Sequence, residues 1–234
     1  MSKLKAFVLA AAVFAALGVF AATASATELG TESESGVLAS GSTISAEAES
    51  TTILHPLSGN IECKKSSVSG KTTNTGSSTE TVNASVESLS FSECNATVTI
   101  LTKGSLEFHT RTESVDGNGT LTSNGTEVTV EFAGLHCIFK TSNTDIGTAT
   151  GSRATEGNAT LDIAATIPRT GGRSGAFCGS TAQWTGSYKV TKPSLLTVDS
   201  LCRPVAQGQG DYTSFSDCIW TRNKEVNQGS WRPS

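Results

Sequence analysis

Charge and aromatic rings are both scarce in this 234-residue chain. Asp, Glu, Lys and Arg make up 16% of it, and Phe, Trp and Tyr 6%. Hydrophobic residues, Gly not counted, make up 36%. These shortages exclude a helical bundle or coiled coil, which needs many Leu, Glu, Lys and Ala. The 17 Lys+Arg against 21 Asp+Glu leave a net charge of −4 and form no basic stripe. A nucleic-acid partner, whose phosphates would have to be neutralised, is therefore not expected. Ser, Thr and 23 Gly fill the gap. The length suits one sandwich-sized domain with a small appendage.

The one long apolar run lies at the start. Lys3 and Lys5 precede an uncharged stretch from Ala6 to Ala22, and Ala24-Ser25-Ala26 then offers a small-residue cleavage pattern. This order is that of an export signal over residues 1–26, with Thr27 as the mature start. A spanning helix needs about 20 apolar residues, and Thr23 and Ser25 cut this run short. No cysteine lies at the cleavage point to accept lipid, and no apolar tail closes the chain. The expectation is a secreted, extracellular protein with no membrane span after signal cleavage. Loss of Lys3 and Lys5 leaves 15 basic against 21 acidic residues, a net of −6.

Cys63, Cys94, Cys137, Cys178, Cys202 and Cys218 all follow the signal. An even count in an exported chain favours disulfides over free thiols or metal ligands. No metal or cofactor is expected: no two cysteines are closer than Cys202 and Cys218, and His55, His109 and His136 have no ligand spacing. His136 adjoins Cys137, but neighbours on a strand point to opposite faces. Six cysteines allow fifteen pairings, and sequence alone does not choose. The sequential set, Cys63–Cys94, Cys137–Cys178 and Cys202–Cys218, is the expectation, each bridge contributing about 2–4 kcal/mol.

Period-two alternation recurs along the chain. Val128, Val130 and Phe132 alternate with Glu127, Thr129 and Glu131, and Leu161, Ile163, Ala165 and Ile167 alternate with Asp162, Ala164 and Thr166. Val98 with Ile100 and Leu106 with Phe108 repeat the pattern. These are half-buried antiparallel strands with Thr on the outer face. Asn124-Gly125 predicts a two-residue type I′ hairpin joining Thr120–Thr122 to Thr126–Phe132. Asp116-Gly117-Asn118-Gly119, Gly157-Asn158 and Arg169-Thr170-Gly171-Gly172 mark further turns. Lys71–Ser78 reads as a polar loop, and no segment after the signal carries a helical stripe.

The fold expected is all-β: an antiparallel two-sheet β-sandwich, Ig-like or jelly-roll-like. It spans residues 27–193, with Glu/Ser/Gly-rich residues 27–42 as a loose lead-in. Residues 194–234 form a small disulfide-closed C-terminal appendage.

Chemistry-bearing constellations are thin. Gly172-Arg173-Ser174-Gly175 is the nearest approach to a nucleophile elbow, and its spacing is wrong. No phosphate-cradling loop and no His-Glu-x-x-His occurs. Asp116-Gly117-Asn118-Gly119 begins like a calcium loop, but the ligand series stops at Leu121. Glu107, Glu131, Asp145 and Asp162 remain the candidates for a carboxylate pair, since such spacing is spatial rather than sequential. Asn83, Asn95, Asn118, Asn124 and Asn158 head Asn-x-Ser/Thr triplets, which a Ser/Thr-rich chain also gathers by chance.

Trp184 and Tyr188 lie four apart on a strand and share one face, with Gly186 between them. Such a pair suits stacking on sugar rings if it faces outward, or a sandwich core near a disulfide if it faces inward. Trp220 in the tail is a further candidate contact, as is Trp231.

Phe91-Ser92-Glu93-Cys94, Gly134-Leu135-His136-Cys137-Ile138-Phe139 and Phe177-Cys178 followed by Trp184-Thr185-Gly186-Ser187-Tyr188-Lys189-Val190 occur together in this chain. With Ala26-Thr27-Glu28-Leu29 after the signal, they resemble exported Thr/Ser-rich, disulfide-containing β-sandwich proteins of soil actinobacteria. The tail, Cys202 through Gly208-Gln209-Gly210-Asp211-Tyr212 to Cys218, is similar to a short module appended to such proteins. The resemblance implies export, the sandwich and the sequential bridges, and carries no catalytic residue.

Two functions from different classes follow as expectations. One is a non-catalytic module acting at the cell surface or in the medium, by adhesion or by binding an extracellular polymer or cell-surface component. The other is a secreted polysaccharide hydrolase using two of Glu107, Glu131, Asp145 and Asp162 as acid and base.

Overall fold

A computed structural model describes residues 27–31, 36–77, 80–110, 118–151, 158–173 and 175–200. The export segment, the Asp116-Gly117 turn and the tail bearing Cys202, Cys218, Trp220 and Trp231 lie outside the described residues.

The first half supplies β1 (Thr27–Gly30), β2 (Thr43–Ala48), β3 (Thr52–His55), β4 (Ile61–Thr72), β5 (Val82–Cys94), β6 (Thr97–Thr102) and β7 (Ser105–Thr110). The second half supplies β8 (Asn118–Asn124), β9 (Glu127–Phe132), β10 (Leu135–Lys140), β11 (Thr144–Thr150), β12 (Thr160–Gly171), β13 (Thr181–Lys192) and β14 (Thr197–Ser200). A single helical turn, α1 (Gly175–Cys178), interrupts them. The alternating runs read from sequence coincide with β6, β7, β9 and β12. The polar segment from Lys71 is strand as far as Thr72 and loop from Thr73 to Ser77.

Every pairing is antiparallel, and twelve strands belong to one hydrogen-bonded sheet. This departs from the expected two-sheet sandwich. The cause is length: β4, β5, β12 and β13 run 12 or 13 residues, long enough to pair with different neighbours at each end.

At one end the ladder runs β2–β4–β5–β7–β8–β11–β12–β13 and returns from β13 to β2, closing a ring of eight strands. At the other end β3 takes the place of β2 between β13 and β4. There Phe139 in β10 pairs with Arg169 of β12, and the ladder continues through β9 to β6. Two layers face each other at this end: Val98, Val128 and Phe139 on one side, Leu54, Ile61 and Trp184 on the other. No ladder joins β6 back to β5 among the described residues.

Alternation fills the ring. Along β12, Leu161, Ile163, Ala165 and Ile167 are buried and Asp162, Ala164 and Thr166 exposed. The far mouth of the ring is covered by β1 paired with β14, whose Leu29 and Val198 are buried with Leu196. Thr27–Gly30, in the stretch read as a loose lead-in, is thus a paired strand. β14, beyond the boundary drawn at residue 193, packs on the same core.

Asn124-Gly125 does not form a hairpin. β8 pairs with β7 and β11, whereas β9 pairs with β10 and β6, so this dipeptide carries the chain from the ring to the other end. Side-chain hydroxyls hold it instead: the Thr126 N–H donates to Thr141 Oγ1, and Thr126 Oγ1 donates to the Lys103 carbonyl. The two-residue hairpin with both central residues left-handed is Ala133-Gly134 (φ 50° and 80°), joining Phe132 to Leu135. Arg169-Thr170-Gly171, read as a turn, is the end of β12, and Arg169 Nε donates to the Gly179 carbonyl beside α1.

Two disulfides fall where sequential pairing put them. Cys63 and Cys94 face each other across β4 and β5, Cα atoms 4.0 Å apart. Cys137 of β10 reaches Cys178 of α1 at 5.7 Å. The Cys202–Cys218 expectation lies outside the described residues.

Candidate binding sites

β13 places Trp184 opposite Leu54 of β3 and Ala165 of β12, at the level where the ring gives way to the other end. Its ring meets Phe91 edge-on at 5.9 Å and Tyr188 edge-on at 6.1 Å. Trp184 and Tyr188 therefore share a face, as the four-residue spacing implies, and that face is the interior. Tyr188 is 2% exposed, so it offers no platform to an external polymer. Gly186 makes the arrangement feasible: a Cβ there would lie 2.8 Å from Thr52 Cγ2 and 3.2 Å from Tyr188 Cε2.

The Tyr188 hydroxyl hydrogen-bonds Ser66 Oγ at 2.8 Å. Burial pushes its pKa up to about 12, because a phenolate there would lose its hydration; neighbouring Ser66, Trp184 and Thr52 oppose the rise. The indole Nε1 of Trp184 is itself buried without a hydrogen bond of normal geometry.

Among the described residues, three small apolar cavities succeed one another along the interior. The first, about 40 Å³, lies between the two layers and is lined by Leu54, Ile61, Val98, Val128 and Phe139. The second, about 30 Å³, lies inside the ring against Val68, Leu121, Ile163 and Tyr188. Leu89, Thr126 and Trp184 line both. The third, about 20 Å³, adjoins Ile44, Ala46 and Phe108 further along the ring. Lys103 is the one charged residue on these walls.

The four candidate carboxylates sit on four different strands of the outer wall. Glu131 is on β9 with His136 Nε2 at 3.8 Å. Asp162 on β12 accepts from Ser187 Oγ at 2.8 Å. Asp145 on β11 accepts from the Gly147 N–H at 3.1 Å. Glu107 on β7 accepts from Thr81 Oγ1 and lies 3.5 Å from His109 Nε2. Register brings only Glu107 and Asp145 into one row, with Thr122 between them. No group of three or more His, Cys, Asp or Glu able to hold a metal occurs among the described residues.

The same register aligns His109, Thr120, Thr148, Asp162 and Ser187 across β7, β8, β11, β12 and β13. Asn95, the head of one glycan-type triplet, has a structural task instead. Its Oδ1 accepts the Glu62 N–H and its Nδ2 donates to the Asn60 carbonyl, clamping the β5–β6 turn.

Ser66, Leu89 and Lys103 belong to no motif in the sequence. Their significance depends on which strands close the interior, and no local pattern carries that information. Compared with models of protein families, with curated proteins and with solved structures, the chain matches none.

Proposed function

We propose that this is an exported, non-catalytic β-protein that binds an extracellular polymer or cell-surface component through the outer wall of its ring. The observation that carries the reading is the aligned row His109–Thr120–Thr148–Asp162–Ser187, extended by Glu107–Thr122–Asp145 beneath it. Hydroxyls and carboxylates held at strand spacing, about 4.8 Å apart, match a repeating hydroxylated polymer better than a compact ligand. Export is supported by the leader-like residues 1–26 and by disulfides, which persist in oxidising compartments.

The test is depletion of the mature chain, Thr27 onward, by insoluble chitin, cellulose, peptidoglycan or whole cells. Thr148→Arg, in the middle of the row, should abolish selective depletion, while Trp184→Phe, an interior change, should leave it intact. Absence of depletion from all four materials would remove this reading.

A second reading, polysaccharide hydrolysis, draws on Glu107 and Asp145 in one row. Two strand spacings separate their backbones by about 9.6 Å, at the upper limit of the about 6.5–9.5 Å between the carboxyl groups of an inverting pair. Release of soluble sugar that stops in Glu107→Gln would establish it.

A further inference from the structure

We propose that the interior binds a single-chain anionic amphiphile, a fatty-acid carboxylate, which enters between β5 and β6 and sets its head on Lys103. The route is defined by a missing ladder. β5 pairs with β7 from Val82 to Ser85, the Val86 N–H donates to the Gly104 carbonyl, and β6 pairs with β9 alone, so beyond Val86 the facing edges of β5 and β6 carry no shared ladder among the described residues. Leu89 and Phe91 of β5 and Val98 of β6 flank that seam and line the first cavity.

The shape favours a chain over a compact guest, because the cavities succeed one another and share Leu89, Thr126 and Trp184. At about 40 and 30 Å³ they are narrow, and the walls must part to admit an alkyl chain. Beyond the Val86–Gly104 bond the seam has no ladder bonds, so there the walls can part without breaking backbone hydrogen bonds between β5 and β6. Apolar walls leave water few partners, so such space stays dry or takes an apolar guest.

Charge complementarity fixes the head. Lys103 follows the end of β6, and its Nζ donates to the Glu87 carbonyl oxygen, leaving donors for a carboxylate. The side-chain carboxylate of Glu87 is itself held by Lys71 Nζ at 3.0 Å.

The experiment titrates decanoate and decanol, each below its aggregation threshold, into the mature chain by calorimetry, with thermal melting to verify folding. Saturable decanoate binding is expected, weakened about tenfold or more by Lys103→Glu while decanol binding is unchanged. Leu89→Trp should remove both, and Val98→Phe serves if Leu89→Trp does not fold. No saturable binding of either probe overturns the proposal. Decanoate binding indifferent to both the lysine and the cavity variants also overturns it, since that is surface adsorption. The polymer assay is independent, so either proposal can fail without the other.

Discussion

The same long strands are secured in two different ways at their two ends. Around the ring each of eight strands hydrogen-bonds to two neighbours, β1 and β14 cover the mouth, and no described disulfide is present. At the other end the ladder stops between β5 and β6, and both described disulfides lie there. Cys63–Cys94 crosses β4 and β5 beside the seam, and Cys137–Cys178 ties β10 to α1. Closing a sheet removes its edges. Where an edge remains, a covalent link limits how far the layers separate and how much freedom the unfolded chain regains. The core cluster is thus held by closed ladders at one end and by covalent links at the other.

Trp184→Ala should have the largest effect, because this side chain belongs to both ends. Loss of its contacts with Phe91 and Tyr188 should lower unfolding stability by about 3–5 kcal/mol in denaturant titration. Unfolding should remain a single transition, since the two ends lose the same side chain. Two separated transitions would mean that they are already independent, and that Trp184 does not couple them.

Removing the Cys137–Cys178 bridge as the double serine variant sharpens the contrast. The expected loss is about 2–5 kcal/mol, concentrated at the open end. Amide hydrogen exchange should accelerate in β6, β9 and β10 while β7, β8 and β11 keep their protection. Equal acceleration in both sets would break the comparison.

Tyr188 gives the ring its own signature in alkali. Its folded pKa, raised to about 12 from 10.0 in the unfolded chain, means that the folded state holds a proton the unfolded state has released. The stabilisation is complete below pH 10 and is lost as pH climbs through 12. Over that interval stability should fall by about 2–3 kcal/mol more in wild type than in Tyr188→Phe. Parallel pH profiles for the two proteins would show that the phenol is ionising freely.

What could be read in the sequence was local. Alternation over Glu127–Phe132 and Leu161–Ile167 identified strands because facing in or out is decided residue by residue. The two described disulfides agree with sequential pairing, 31 and 41 residues apart, but Cys178 lies closer along the chain to Cys202, so spacing alone did not select them. Ring closure was not, because β2 must find β13 and residues 45–48 must meet 188–192. The four-residue spacing of Trp184 and Tyr188 gave a common face but not its direction, which depends on that closure. Lys103 had no signal at all: it lines the second cavity only because β6 ends beside it. Asn124-Gly125 misled for a related reason. It carries the strongest local turn preference in the chain, yet strand partners chosen elsewhere pull β8 and β9 apart.

That last disagreement yields the smallest effect and the cleanest discrimination between local preference and tertiary pairing. If Asn124 sat in a type I′ turn, alanine would have to take a left-handed conformation there. In the structure Asn124 lies at the exposed end of β8 opposite Ser105, and only Gly125 beyond it has positive φ, 77°. Asn124→Ala should therefore change stability by less than about 0.5 kcal/mol. Gly134→Ala, at φ 80° in the hairpin that does form, should cost about 1–2 kcal/mol, even though open space surrounds its Cβ position. Thermal denaturation of the two variants side by side reads the difference directly. The reverse order of costs would move the hairpin to Asn124-Gly125, pair β8 with β9, and open the eight-strand ring.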